Sequence, residues 1–195
     1  MARVRTFVAV EVDSAIRANA AALQKTLAKS GANVKWVEPA NLHVTLVFLG
    51  EVDDRDLHGV CKAVKAVAAT EVPFPLRASG VGGFPTARRP KVAWGGLTDG
   101  SADLVRIHAK LEEALSAVGA YRKEERAYTP HLTLGRVTDE ADGNALAAEL
   151  PKHLGWQGGH TVVDELIVFS SEMRRTGPEY AALARAALTG HAATA

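Results

Sequence analysis

Several things are scarce in this chain, and each scarcity narrows its function. One cysteine, Cys61, stands among 195 residues, so no disulfide can form within the chain and packing alone must hold the fold. A reducing cytoplasm is the expected compartment. Long apolar runs are also missing. The opening "MARVRTFVAVEVD" turns polar at Glu11, too early for a secretory segment, and no later stretch reaches the ~18 apolar residues of a membrane span. No membrane partner is expected. A net charge of +1 excludes attraction of polyanions by the surface as a whole. The chain has no low-complexity tract, no compositional linker and no short-period repeat, so solenoids are excluded. It also lacks His-Glu-x-x-His and any cysteine cluster, and no carboxylate lies near its histidines at ligand spacing; neither metal nor cofactor is expected.

What remains is an ordinary globule, 47% hydrophobic and 23% charged, long enough to bury roughly 70% of its unfolded surface. Its unusual feature is a motif written twice. "NLHVTLVFLG" and "TPHLTLGRV" both contain His-apolar-Thr-Leu, although the chain has only seven histidines. On a strand, residues i and i+2 share a face about 6.6 Å apart. His43 and Thr45 therefore share one face, as do His131 and Thr133, while Val44, Leu46, Leu132 and Leu134 point to the core. Alternation extends the first face to Val47. It aims Arg136 away from His131, unless Gly135 permits a bulge that turns it inward.

Around these motifs the pattern predicts strands over "RTFVAVEV", "VKWV", "LHVTLVFL", "FPLRASGVG", "PKVAWGGL", "YTPHLTLGRV", "HTVVDELIVFSS" and "EYAALARAAL", the last ambiguous with helix. Helices are expected over 14–29 behind an Asp13 cap, from Asp53 or Asp54 through Val67, over 101–118 and over 141–150. The elements fall into two similar sets: strand, helix, His-x-Thr strand, helix, hairpin. This predicts an α+β fold, duplicated and pseudo-two-fold, with antiparallel sheets lining a central cleft and helices outside. Residues 1–190 are expected to form one domain of two intertwined lobes, monomeric, with 191–195 as a frayed tail.

Two imidazoles facing across a cleft suit in-line displacement at phosphorus. One takes a proton from water, the other protonates the leaving oxygen, and the threonine hydroxyls bind the non-bridging oxygens. The residues alone do not say which histidine plays which part. Three basic clusters lean weakly toward a phosphate-bearing partner: Arg88, Arg89 and Lys91; Arg122, Lys123 and Arg126; Arg174 and Arg175. "GVGGFPT" is glycine-rich, but Pro85 and the following "ARRP" forbid the helix of a dinucleotide site. Trp36 and Trp94 read as core, and His58, His108, His153, His160 and His191 carry no assigned chemistry.

The ordered set "RTFVAVEVD", "VKWVEPANLHVTLVFLGEV", "GVGGFP", "RPKVAWGGL", "YTPHLTLGRV" and "ELIVFSSEMRRTGPEYAALARAAL" resembles the 2H phosphoesterases, and within them the LigT-like RNA 2′,3′-cyclic phosphodiesterases. The resemblance implies opening of RNA 3′ ends, or small nucleotides, bearing a 2′,3′-cyclic phosphate to give a 2′-phosphate, without a metal. It implies His43 as the proton donor, His131 as the proton acceptor, and Thr45, Thr133 and Arg136 as phosphate ligands. Val47 departs from the Lys that family members often carry there. The alternatives are reversible 2′–5′ RNA ligation at the same site and a non-catalytic nucleotide- or RNA-binding module.

Overall fold

The computed structural model describes residues 2–123, 127–139, 143–175 and 177–191. Among these described residues, nine strands form two antiparallel sheets. In chain order the elements are β1 (Arg3–Glu11), α1 (Ser14–Leu27), β2 (Val34–Trp36), β3 (His43–Asp53), α2 (Leu57–Ala68), β4 (Phe74–Thr86), β5 (Arg89–Leu97), α3 (Ser101–Ala117), β6 (Leu132–Val137), α4 (Gly143–Glu149), β7 (Gln157–Val163), β8 (Glu165–Arg174) and β9 (Gly177–Ala187). One sheet runs β3-β1-β8-β9 and the other β2-β6-β5-β4-β7. The two His-x-Thr strands thus lie in different sheets, beside β1 and β5 respectively.

Local sequence explains most boundaries. Asp13 caps α1, accepting the Ile16 amide at 2.8 Å. The second helix starts later than expected, because 54–56 form a single 3₁₀ turn before Leu57. "HTVVDELIVFSS" is two strands in different sheets, broken at Asp164. The alanine-rich C-terminal segment is a strand, paired with β8 along its length. β4 runs on past the expected strand end at Gly82, as far as Thr86: Gly83 pairs with Ala93 and Phe84 with Val92, while Gly82 pairs with Trp94. A Cβ on Gly82 would sit 2.2 Å from the Trp94 ring, so this glycine makes room for an indole. Of the predicted fourth helix, 141 and 142 lie outside the described residues, as do Arg126 and most of the predicted tail.

The layers are exchanged between the halves. β1 belongs to the first sheet, yet α1, which follows it, packs on β6 and β7 of the second. β5 belongs to the second sheet, yet α3 packs on β3 of the first. The main core lies between these helices and the sheets. It includes Ile16, Leu27, Leu42, Leu46, Leu104, Ile107, Leu132 and Leu134, all 2% exposed or less. A separate cluster of Phe7, Ala9, Ile167 and Phe169, with Tyr180 against it, lies beneath His43. Among the described residues no helix is long and apolar enough to cross a membrane.

Candidate active site

Both motifs carry a β-bulge at the same place. Opposite β1, Ala9 faces Thr45 and Val8 faces Val47, leaving Leu46 without a partner. Opposite β5, Trp94 faces Thr133 and Ala93 faces Gly135, leaving Leu134 without one. An extra residue shifts the alternation by one. The residue five beyond each histidine, Phe48 or Arg136, therefore joins the face shared by His and Thr. Val47 does not: it is only 2% exposed and belongs to the core, which corrects the expectation that it shares the face of His43 and Thr45. Its counterpart is Gly135, where a Cβ would lie 2.6 Å from Val34 Cγ1 and 2.7 Å from the Trp36 ring. β3 is an edge strand and has room for valine there; β6 has β2 beside it and does not.

His43, Thr45, Thr133 and Arg136 line one cavity of about 760 Å³, together with Arg5, Phe7, Lys35, Trp36, Phe48 and Tyr180 among others. His131 opens on an adjoining cavity of about 250 Å³, which shares Thr45 and Phe48 with the first. The cleft is thus lined from both sheets. Its cations are Arg5, Lys35 and Arg136; the described members of the three basic clusters line neither cavity. Trp36, expected in the core, is half-buried and forms part of the wall.

The two imidazoles are held alike. His43 Nδ1 lies 2.7 Å from the Asn41 carbonyl and His131 Nδ1 2.8 Å from the Thr129 carbonyl. A carbonyl only accepts, so each Nδ1 carries a proton and each Nε2 is the exchangeable position. In the neutral ring, His43 Nε2 accepts from the Thr45 hydroxyl at 3.0 Å. Aromatic rings back both: Phe7 lies 4.9 Å from His43 with Tyr180 edge-on at 5.4 Å, and Phe84 meets His131 edge-on at 4.9 Å. Burial against these rings holds the His43 pKa below its ordinary value. Arg17 and His131 push the same way, while the Asn41 carbonyl and Glu11 oppose. Burial also lowers His131, with Arg136 adding to it and the Thr129 carbonyl opposing.

Sequence reading missed the aromatic wall and the groups behind the bulges. Phe7 and Tyr180 gave no signal, because an aromatic in a strand is ordinarily core. His108, left without a role, directs Nδ1 at the Leu46 carbonyl, 2.8 Å away. Among the described residues no three His, Cys, Asp or Glu side chains are grouped to hold a metal ion.

Two half-sites of one design, each on a bulged strand facing a shared cleft, define a duplicated phosphoesterase. The chain belongs to the LigT-like phosphoesterase family, whose model matches residues 10–94 and again 97–180. It is 34% identical over 180 residues to the RNA 2′,3′-cyclic phosphodiesterase of Methanothermobacter thermautotrophicus, covering 91% of this chain and 95% of that one. A crystal structure from Thermus thermophilus superposes with a TM-score of 0.81 at 25% identity, covering 96% of this chain and all of that one. E. coli LigT complexed with 3′-AMP superposes with a TM-score of 0.75 at 26% identity, covering 96% and 99%.

Proposed function

We propose that this protein is an RNA 2′,3′-cyclic phosphodiesterase that opens the cyclic ester to a 2′-phosphate by acid–base catalysis. The observation that carries this reading is the pair of Nδ1-anchored imidazoles, each with its Nε2 directed at a cleft that also holds Thr45, Thr133 and Arg136. The relatives' activity and the 3′-AMP bound by E. coli LigT fit a nucleotide end in that cleft.

Water attacks phosphorus while neutral His131 takes its proton at Nε2. The bond from phosphorus to the 3′-oxygen breaks in line with the attack, and that oxygen takes the Nε2 proton of His43 imidazolium. The products are a 2′-phosphate monoester and a 3′-hydroxyl; His131 then loses a proton and His43 regains one. Thr45 and Thr133 donate to the non-bridging oxygens and Arg136 balances their charge. The proton steps need no metal. The test is to incubate RNA ending in a 2′,3′-cyclic phosphate with the protein after exhaustive chelation and separate 2′- from 3′-phosphate products. A 2′-phosphate is expected; an intact ring, or a requirement for a divalent ion, overturns the reading.

A further inference from the structure

At each bulge the carbonyl of the residue left without a strand partner accepts a hydrogen bond from a helix side chain of the other half of the chain. At the first motif, His108 Nδ1 lies 2.8 Å from the Leu46 carbonyl. The Tyr128 hydroxyl donates to the neighbouring Thr45 carbonyl at 2.8 Å. His108 sits on α3, and its other nitrogen lies 3.5 Å from Glu112, a carboxylate only 8% exposed that also accepts the Tyr121 hydroxyl at 3.0 Å. His108 is therefore oriented from both ends. At the second motif, Gln24 on α1 donates through Nε2 to the Leu134 carbonyl at 2.8 Å and to the Val37 carbonyl at 2.8 Å. Gln24 is only 6% exposed, and the Val37 amide donates to the same Leu134 oxygen at 2.9 Å.

The arrangement is crossed. Leu46 lies in the first half of the chain and is held from α3 in the second; Leu134 lies in the second half and is held from α1 in the first. We infer that His108 and Gln24 are positioning residues, reciprocal latches through which each half of the chain sets the active motif of the other. The Leu46 latch sets where Thr45 and Phe48 stand relative to His43, and the Leu134 latch sets Thr133 and Arg136 relative to His131. Neither latch touches the reacting atoms. A bulge free to slip by one residue would return Phe48 or Arg136 to the core face, so these two hydrogen bonds choose which side chains the cleft presents.

The inference rests on the proposed function only for its effect on turnover, so its principal test is spectroscopic. The four proteins are His108→Leu, His108→Asn, Gln24→Met and wild type, with the imidazole nitrogen resonances of His43 and His131 followed through a pH titration. Asparagine in place of His108 would set an amide donor close to the position of Nδ1; leucine and methionine offer none. The expected pattern is crossed: His108→Leu displaces the His43 resonances more than those of His131, whose cavity His108 also lines, His108→Asn restores them, and Gln24→Met displaces His131 and spares His43. Thermal melts establish that each variant is folded under these conditions. Turnover should fall in His108→Leu and Gln24→Met by up to ~10²-fold, the scale of an ångström-sized misplacement, and recover in His108→Asn. Equal displacement of both histidines by either variant, or displacement of neither, overturns the latch. The crossed pattern with no cyclic-phosphate turnover in wild type would leave the latch standing and remove the function.

Discussion

At the scale of single residues, the proposed mechanism asks different amounts of the imidazoles and the hydroxyls. Replacing His43 or His131 by alanine should cost ~10²–10⁴ in kcat, the usual worth of a general acid or base. Thr45→Ala or Thr133→Ala removes one hydrogen bond to a charged oxygen and should cost roughly 10- to 150-fold. Steady-state kinetics on a cyclic-phosphate RNA, with melts to confirm folding, checks both, and near-wild-type turnover in either histidine variant would end the two-histidine scheme. The near-symmetry of the site leaves the roles to a chemical test. With sulfur in place of the 3′-oxygen the leaving group departs without a proton, so His43→Ala should regain most of its loss on that substrate and His131→Ala should not.

The pH dependence follows from the same two residues. Turnover needs one ring protonated and one neutral, so kcat/KM should be bell-shaped. Both pKa values lie below the ordinary 6.5 in the free protein, which places the kcat/KM optimum on the acid side of that value. A bound cyclic phosphate is an anion and stabilises imidazolium, so the optimum of kcat should lie at higher pH. Folding stability carries the opposite linkage. Since the unfolded chain binds these protons more readily, their contribution is present above about pH 6.5 and is lost as pH falls below it. A monotonic rise of kcat/KM from pH 5 to 9 would contradict the pairing.

At the scale of elements, the bulges decide what faces the cleft. Val47→Lys should place an ammonium in the core and destabilise the fold on the order of 3 kcal/mol, measured by urea melts. Phe48→Lys, one residue on at a site 43% exposed, should leave stability nearly unchanged and alter KM for an anionic substrate. The reverse ranking would mean that the first motif keeps strict alternation. This is also where sequence reading ran short. The elements, the Asp13 cap and the two His-Thr faces were legible because periodicity and capping chemistry are local signals. Arg136 was legible only as a question, which the bulge answers. Val47 was misplaced because one unpaired residue leaves no trace in a hydrophobic pattern when Leu46 and Val47 are both apolar. The crossed helices were equally silent, since Gln24 and His108 look like ordinary helix residues until the opposite strand lies against them.

At the scale of the whole molecule, the helix layer over the first sheet is fastened at Glu71, between α2 and β4. Its carboxylate is 1% exposed and pairs with Arg106 and Lys110 of α3, the lysine at 2.6 Å. Its carbonyl accepts the Gly190 amide at 2.8 Å, tying down the chain beyond β9. The two cations are nearly half exposed and the anion is not, so the partners are unequal. Removing both cations strands a buried charge and should cost about 3–5 kcal/mol. Glu71→Gln leaves the cations in water and should cost about 1 kcal/mol. Burial alone would raise the Glu71 pKa, but hydrogen bonds from Lys110 and Arg106 outweigh it and hold it below the ordinary carboxylate value. This part of the stability is therefore present above about pH 4.5 and disappears as pH falls through the lower, folded value. Denaturant midpoints between pH 3 and 6 check both statements.

Along its described strands the chain passes between the two sheets four times, at β1–β2, β2–β3, β3–β4 and β7–β8. Lobes joined by a single linker can swing about it, and many clefts admit and release their ligands by such hinges. Four crossings, with helices that answer to the opposite sheet, offer no axis about which one lobe can turn freely. The expectation is that the two sheets do not swing apart or together on binding, so scattering profiles of free and product-bound protein should coincide. On the proposed mechanism, release of the 2′-phosphate end would then depend on how tightly Thr45, Thr133 and Arg136 hold it rather than on the opening of a gate.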